Sequence, residues 1–438
     1  MLARLLASAF AVSLSTAPAL ADIVVGPPGS GASTSSLNDA IFNAEEGERI
    51  FVLPGEYLPF DLNGKSVQIL GAGADQVFVQ VPEDGSSGPG SRIRGVAAGQ
   101  QVVISGLRFD VLGFGGSLGG CQVFENQGRV YFQGCEFAMT VNSTTRPLVL
   151  TDCADLVFDD CRVFGHQPEK SIGLQVPPGN ALDVTGCNAR FQGGLIRGGD
   201  SVGQAVFFSG GGLGIDAVDS VLTLHGTEVR GGQSFDTFIP TAAAIQGTNT
   251  DVILSGPTGT LVQGGPAASS TDVYYPGSPA IQFLDSSSSL TRSESVEVAG
   301  GADTEGTPAP ALDLAGAIDT LELFARPGLA LTPNLVAPGG IFEIAIDGES
   351  GAAVAVGLAL ELVPSYSLPG IAGIADLDPS GVDVLFTVFL PSSGDAALLL
   401  QVPVQPSLTG TVAWFQALQE GVPGGARLSL PAALVVGP

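Results

Sequence analysis

The chain has 438 residues, with 16 Lys+Arg against 43 Asp+Glu and a formal net charge of −27. Charged residues make up 13%, well below the ~25% usual for soluble domains, while the 62 glycines are far above the ordinary ~7% share. The apolar share of 45% excludes a wholly disordered chain, the length suffices for a large core, and the acidity argues against nucleic acid and anionic membranes as partners.

Arg4 precedes an apolar run from Leu5 to Leu14, and Ala19-Leu20-Ala21 forms an A-x-A cleavage pattern before Asp22. This reads as a secretory signal peptide over residues 1–21 and predicts export, to the extracellular space or the cell surface. No later stretch offers ~18 uninterrupted apolar residues, so no membrane insertion by a spanning helix is predicted. Next, Ser36-Leu37-Asn38-Asp39 resembles a capping box. Leu37, Ala40, Ile41 and Ala44 fall on one helical face, and Gly47 ends the run. Strands are expected at Arg49 to Leu53 and Ser66 to Leu70. A helix lying over the first strands would cover an open sheet edge that otherwise invites aggregation.

From about residue 100 a short pattern recurs: apolar, any, apolar, polar, small. Its second apolar position falls at Ile104, Phe132, Phe158, Phe191, Leu224 and Leu254, in steps of 28, 26, 33, 33 and 30 residues. Its first falls at Val102, Val130, Leu156, Ala189, Leu222 and Val252, and degenerate copies lie near Leu290 and Leu321. Several copies end in a double glycine: Gly198-Gly199, Gly231-Gly232, Gly264-Gly265 and Gly300-Gly301. Each copy alternates with period two, a strand signature. No helical pattern lies between copies, which disfavours a sheet built on crossover helices. A solenoid of stacked parallel strands fits, with coils about 4.8 Å apart. It predicts two apolar inward columns from the positions above, and an outward column of Val103, Tyr131, Val157, Arg190, Thr223 and Ile253. A further column, Arg108, Glu136, Arg162, Leu195 and Glu228, begins with alternating charges and supports register.

The stretch from Leu37 to Gly73, LNDAIFNAEEGERIFVLPGEYLPFDLNGKSVQILGAG, resembles the opening of right-handed parallel β-helix proteins of the pectin-lyase-like group. Helix, first strand, the Pro54-Gly55-Glu56-Tyr57 turn and the Leu70-Gly71-Ala72-Gly73 ending match in order. The resemblance covers about 22–330. It implies three parallel sheets wound right-handedly and often a carbohydrate ligand, without implying catalysis.

After Phe324 the double glycines stop. Apolar alternation continues at Ile341 to Ile346, Ala353 to Leu362, Val382 to Phe389, Ala397 to Val402, Thr411 to Leu418 and Arg427 to Val436, separated by turn residues. This predicts a small antiparallel β-sandwich, whose expected role is to cover the open end of the solenoid, with a sorting module as the alternative. Leu368-Pro369-Gly370 and Trp414-Phe415-Gln416-Ala417 also resemble the β-modules that end many secreted bacterial proteins.

The candidate chemistry is sparse. Asp155, Asp159 and Asp160, with His166 and Lys170, are the candidate catalytic groove residues, since two carboxylates and a histidine can serve acid–base hydrolysis and a lysine can act as a lyase base. The alternative is a solvated acidic edge. Asp376, Asp378 and Asp383 could hold calcium through oxygen ligands or could simply form a turn. Five cysteines in an exported chain raise disulfides. Cys135 and Cys161 share a column, Cys153 and Cys187 precede their strands by similar distances, and Cys121 is left over. The alternative is an inward ladder of thiols. Gly64-Lys65-Ser66 mimics the tail of a phosphate loop, but Pro59 stands where its first glycine belongs.

The expectation is therefore an all-β, right-handed parallel β-helix over 22–323, with a short N-terminal capping helix, followed by an antiparallel β-sandwich over 324–438. The leading function is a secreted, non-catalytic protein contacting polysaccharide, with calcium as the one cofactor considered. A polysaccharide lyase or glycoside hydrolase acting in a groove is the alternative, and a purely structural surface role the third.

Overall fold

The computed structural model describes residues 23–436, apart from segments at 82–89, 112–119, 140–145, 167–177, 202–210, 235–240 and 268–275 and shorter ones at 257–259, 294, 316–320, 324–326 and at scattered positions from 334 on. The signal-peptide reading lies outside the described residues.

Each coil of the solenoid supplies three strands. Two belong to an 18-stranded sheet that turns a corner, here called the first and second faces, and one to a nine-stranded sheet, the third face. All pairings within these sheets are parallel. In one coil the strands are Leu182–Thr185, Asn188–Gln192 and Leu195–Arg197; in the next they are Ile215–Val218, Val221–His225 and Glu228–Arg230. In Cys121–Gln133 and Leu148–Asp159 the first and second faces are one continuous bent strand.

The expected columns are present in register. Ile104, Phe132, Phe158, Phe191, Leu224 and Leu254 pair in sequence on the second face, and all point into the buried core. Three of them stack ring on ring, Phe132–Phe158 at 4.9 Å and Phe158–Phe191 at 4.6 Å, with interplanar angles of 6° and 8°. Parallel stacking places like side chains one strand spacing apart, so planar rings settle face to face with an offset. On the third face the charge column is also in register, and Arg108 pairs with Glu136 at 2.9 Å.

The corners explain the small residues. At the corner after the second face the backbone is left-handed at Gly106, Gly134, Asp160, Gly193 and Gly226. Only Asp160 breaks the glycine run there, and aspartate is among the residues that tolerate this conformation. At the corner after the first face, polar atoms replace the missing ladder bonds. Asn126 Oδ1 accepts from Val96 N–H at 2.9 Å, Cys187 Sγ from Cys153 N–H at 3.4 Å, Ser220 Oγ from Cys187 N–H at 3.2 Å and Ser288 Oγ from Thr250 N–H at 3.1 Å. A buried N–H left without a partner costs ~1–3 kcal/mol, which accounts for these recurring acceptors.

All five cysteines are buried free thiols. The columns were read correctly, but Cys153–Cys187 and Cys135–Cys161 are stacked thiols, not disulfides. Each sulfur has a backbone carbonyl to donate to, as Cys135 does to Ile104 O at 3.5 Å and Cys161 to Asp159 O at 3.4 Å.

The double glycines form a backbone lattice beyond the third face. Gly199 N–H donates to Gly179 O, Gly212 N–H to Gly199 O, Gly232 N–H to Gly212 O, Gly265 N–H to Ala242 O and Gly301 N–H to Ser278 O, at 2.7–3.1 Å. Outgoing and returning chains thus alternate in one hydrogen-bonded layer. A Cβ on Gly199, Gly232, Gly265 or Gly301 would overlap a neighbouring carbonyl oxygen.

Helix Leu37–Asn43 covers the first coil. Ser36 Oγ caps it by accepting from Asp39 N–H at 3.2 Å. Lys65 closes the other end, its Nζ donating to the carbonyls of Ile41, Phe42 and Ala44 at 2.8, 2.6 and 2.8 Å. A cation at a helix C-terminus satisfies carbonyls and the dipole together.

The C-terminal strands are antiparallel for the most part. One sheet runs in the order Gly328–Thr332, Ile341–Asp347, Asp395–Gln401. The other is centred on Ala353–Ala359, between Asp383–Phe389 and Val412–Glu420. Their inner sides share a second core. The expected contact of this module is with the solenoid's open end. Ala359, Leu377 and Trp414 instead pack on its flank, against the outward side of the second face at Phe51, Leu70, Val103, Tyr131 and Val157.

Candidate functional site

The solenoid has two polar faces with different fates. The outward side of the second face lies beneath the C-terminal module. Asp155 sits there between two buried arginines, 2.7 Å from Arg129 Nε and 2.5 Å from Arg190 Nη2. Burial alone would raise its carboxyl, but Arg190 and Arg129 together hold it below the ordinary carboxylate range. Tyr131 donates its hydroxyl to Asp159 Oδ2 at 2.9 Å. Burial first, and then the Asp159 charge, push that phenol well up. Gln192 reaches across the seam to donate to Leu329 O at 2.5 Å. Further along, His225 Nδ1 lies 3.0 Å from Ser255 Oγ, a pair of nucleophile and base types absent from the sequence reading. Both side chains are buried, so no substrate reaches them in this arrangement.

Of the five expected groove residues, the four that are described are not gathered on one surface. Asp155 and Asp159 are together on this covered face. Asp160 is a corner residue with φ 48°, its carboxyl raised by burial against the opposing pull of Arg162. His166 follows the third-face strand Arg162–Phe164 and is fully buried, with neither ring nitrogen hydrogen-bonded among the described residues. Lys170 lies outside the described residues. For calcium, Asp376 is on strand Ala375–Leu377, Asp383 begins the exposed strand Asp383–Phe389, and Asp378 lies outside the described residues. Among the described residues no three His, Cys, Asp or Glu side chains are gathered to hold a metal.

The outward side of the first face carries a different ladder. Its column runs Asp61, Arg92, Gln122, Val149, Asp183, Asp216, Gln246, Gln282 and Asp313, one residue per coil. Carboxylates and amides dominate it, and its members from Asp61 to Gln282 are half-exposed while Asp313 is exposed. Arg92 and Arg94 converge on Asp61 Oδ2 at 2.7 and 3.2 Å, and Gln282 Nε2 donates to Asp313 at 2.9 Å.

At its centre Asp183 and Asp216 are cross-strand neighbours. Arg146 Nε lies 2.5 Å from Asp183, and Asn180 Nδ2 donates to Asp183 Oδ1 at 3.2 Å. Both carboxyls are nonetheless raised. Burial is the main cause for each, and the Asp183 charge adds to it for Asp216. Burial, with a like charge on the adjoining coil for Asp216, favours the protonated form, and one protonated carboxyl beside an ionised one is what an acid–base pair requires. The sequence reading missed them because L-D-V-T and I-D-A-V look like ordinary strand alternation. The available signal was their position, the same distance before two successive repeats.

An exposed rib borders this face at the corner. Glu125, Asp152, Asp219 and Asn249 all have positive φ and point to solvent, with Asn249 Nδ2 donating to Asp219 at 2.6 Å.

These pairings define a parallel β-solenoid protein with a laterally docked β-sandwich. No family model matches the sequence, and neither does any curated protein. Among solved structures, the chain is similar to tailspike protein 2 of an Escherichia coli O157:H7 bacteriophage (13% identity over 95% of this chain and 68% of that one, TM-score 0.35). It is also similar to the pectin methylesterase PemA of Erwinia chrysanthemi (10%, 69% and 93%, TM-score 0.26). A third is a tailspike of Acinetobacter baumannii bacteriophage Fri1, a capsular polysaccharide depolymerase (10%, 95% and 82%, TM-score 0.18). No residue role passes from these proteins to this chain.

Proposed function

We propose that the chain is an exported, non-catalytic protein that holds a neutral polysaccharide along the first face of its solenoid. The observation that carries the reading is the open ladder from Gln122 to Asp313. Amides both donate and accept, and carboxylates accept, so the column matches sugar hydroxyls that do both. Such groups recur on every coil of this stretch except that of Val149, at ~4.8 Å spacing, and present a periodic surface to a periodic polymer. The formal charge of −27 and the carboxylates in the ladder set the face against polyanionic glycans. The test is a glycan array probed with the full chain. Binding to neutral glycans that falls at least tenfold in Asp183→Ala and Asp216→Ala supports the reading. Undiminished binding in both variants, or a preference for polyuronates, overturns it.

A second reading, a glycoside hydrolase, is favoured by the raised carboxyls of Asp183 and Asp216, since a carboxylic acid kept protonated can serve as general acid beside an ionised partner. New reducing ends on incubation with a bound glycan would select it over simple binding.

A further inference from the structure

Strands Asp383–Phe389 and Asp395–Gln401 each stand at the end of their sheet. A short turn links them: Gly394 N–H donates to Pro391 O at 2.9 Å and Leu390 N–H to Ala352 O at 2.9 Å. Both edges therefore lie on the same flank, and neither has a further strand partner among the described residues. Their inward residues, Leu385, Phe386 and Val388 on one strand and Ala396, Leu398 and Leu400 on the other, join the second core only partly buried. Phe389, Leu399 and Val384 stand out at 75%, 70% and 65% exposed. An edge of this length and apolarity is a template for another strand, and proteins that keep an edge unpaired usually blunt it with lysine, proline or a bulge. Strand Asp395–Gln401 has none of these. Its sequence is DAALLLQ, and its pairing with Ile341–Asp347 is regular throughout.

We propose that this flank pairs with the same flank of a second copy, strand Asp395–Gln401 running antiparallel to its symmetry mate about a two-fold axis at Leu398. The sequence is self-complementary in that register. Leu398 meets Leu398, Ala397 meets Leu399, Ala396 meets Leu400, and Asp395 meets Gln401. The strand's one carboxylate thus faces an amide and not its own copy, and inward residues continue the core while outward ones form an apolar patch. A two-fold contact uses one patch twice and closes on itself, so the three-stranded sheet becomes six-stranded, with Gly328–Thr332 of each copy at its ends. The acidic remainder of the chain opposes association at long range, and salt screens such repulsion over ~8 Å at physiological ionic strength. Pairing is therefore expected to tighten as salt is added.

The test uses the full chain. Sedimentation equilibrium should give twice the chain mass, with dissociation favoured at low salt. Leu399→Lys, at an exposed position, should leave the fold intact by circular dichroism and weaken the dimer at least tenfold. Leu398→Cys should cross-link to a covalent dimer under mild oxidation, and Ala396→Cys, off the axis, should not. A monomer at all concentrations and salts overturns the proposal. So does a dimer indifferent to Leu399→Lys, or one cross-linked equally from both positions, as would the capture of a strand from an unrelated chain by a monomer.

Discussion

Tyr131 and Trp414 meet edge to face, ring centroids 4.5 Å apart and planes at 89°. One belongs to the solenoid and the other to the C-terminal module, and both are buried. Trp414 is the chain's one tryptophan, so its fluorescence reports docking directly. Tyr131→Ala should shift the emission to the red while the solenoid's circular dichroism persists. Trp414→Ala should cost ~3–5 kcal/mol, the range for emptying a large aromatic site. Chemical unfolding of the two modules, followed separately, checks both outcomes.

Asp155 holds Arg129 and Arg190 under that seam. Asp155→Asn leaves two buried guanidiniums short of their counter-charge, a loss of ~3–5 kcal/mol. Its carboxyl is held below the unfolded value of 3.8, so its contribution is complete above that value. The contribution falls away as pH drops through the lower, folded pKa. Acid unfolding curves of the wild type and Asp155→Asn should converge below pH 3.8.

The first-face pair behaves in the opposite sense. Asp183 and Asp216 bind protons more tightly folded than unfolded. Stability is then lost as pH rises from the unfolded value of 3.8 through the raised folded pKa. Asp216→Asn should stabilise the protein above that window and make no difference below it. Thermal melts across a pH series read this directly, and an unchanged difference at all pH values would contradict the assignment.

Gly232→Ala should be among the most destabilising single-methyl changes in the chain, because the new Cβ overlaps Gly199 O across the lattice. Gly357→Ala is the matched control. Its Cβ would meet Leu377 and Val382 side chains at 3.5 Å and Gln416 O at 3.8 Å, all ordinary contacts. Comparing the two denaturation midpoints isolates the lattice from the general cost of adding a methyl group.

The inward columns were legible because coil spacing and two-residue alternation fix register together: Phe132, Phe158 and Phe191 can be superposed from sequence numbers alone. The strands of the sandwich were legible for the same reason of alternation. Lateral docking was not, although three consecutive apolar residues in an outward column, Val103, Tyr131 and Val157, already marked a covered surface. Cysteine placement was readable but its redox state was not, since stacked thiols and a bridge share the same register. The Asp183–Asp216 site escaped because adjacency across coils does not appear in any local motif, whereas the run from Asp155 to Asp160 looked like a cluster only along the chain. In space those aspartates divide between a covered face and a corner.

The glycine lattice fixes where the chain exits and re-enters each coil, at Gly199 and Gly212, then Gly232 and Ala242, then Gly265 and Ser278. The stretches between these points hold 12, 9 and 12 residues, yet in each pair the returning backbone bonds to the outgoing one. A neck closed by its own hydrogen bonds sets the winding of the coil independently of how many residues lie beyond it, which is why one repeat can be longer than the next without shifting the register of its strands.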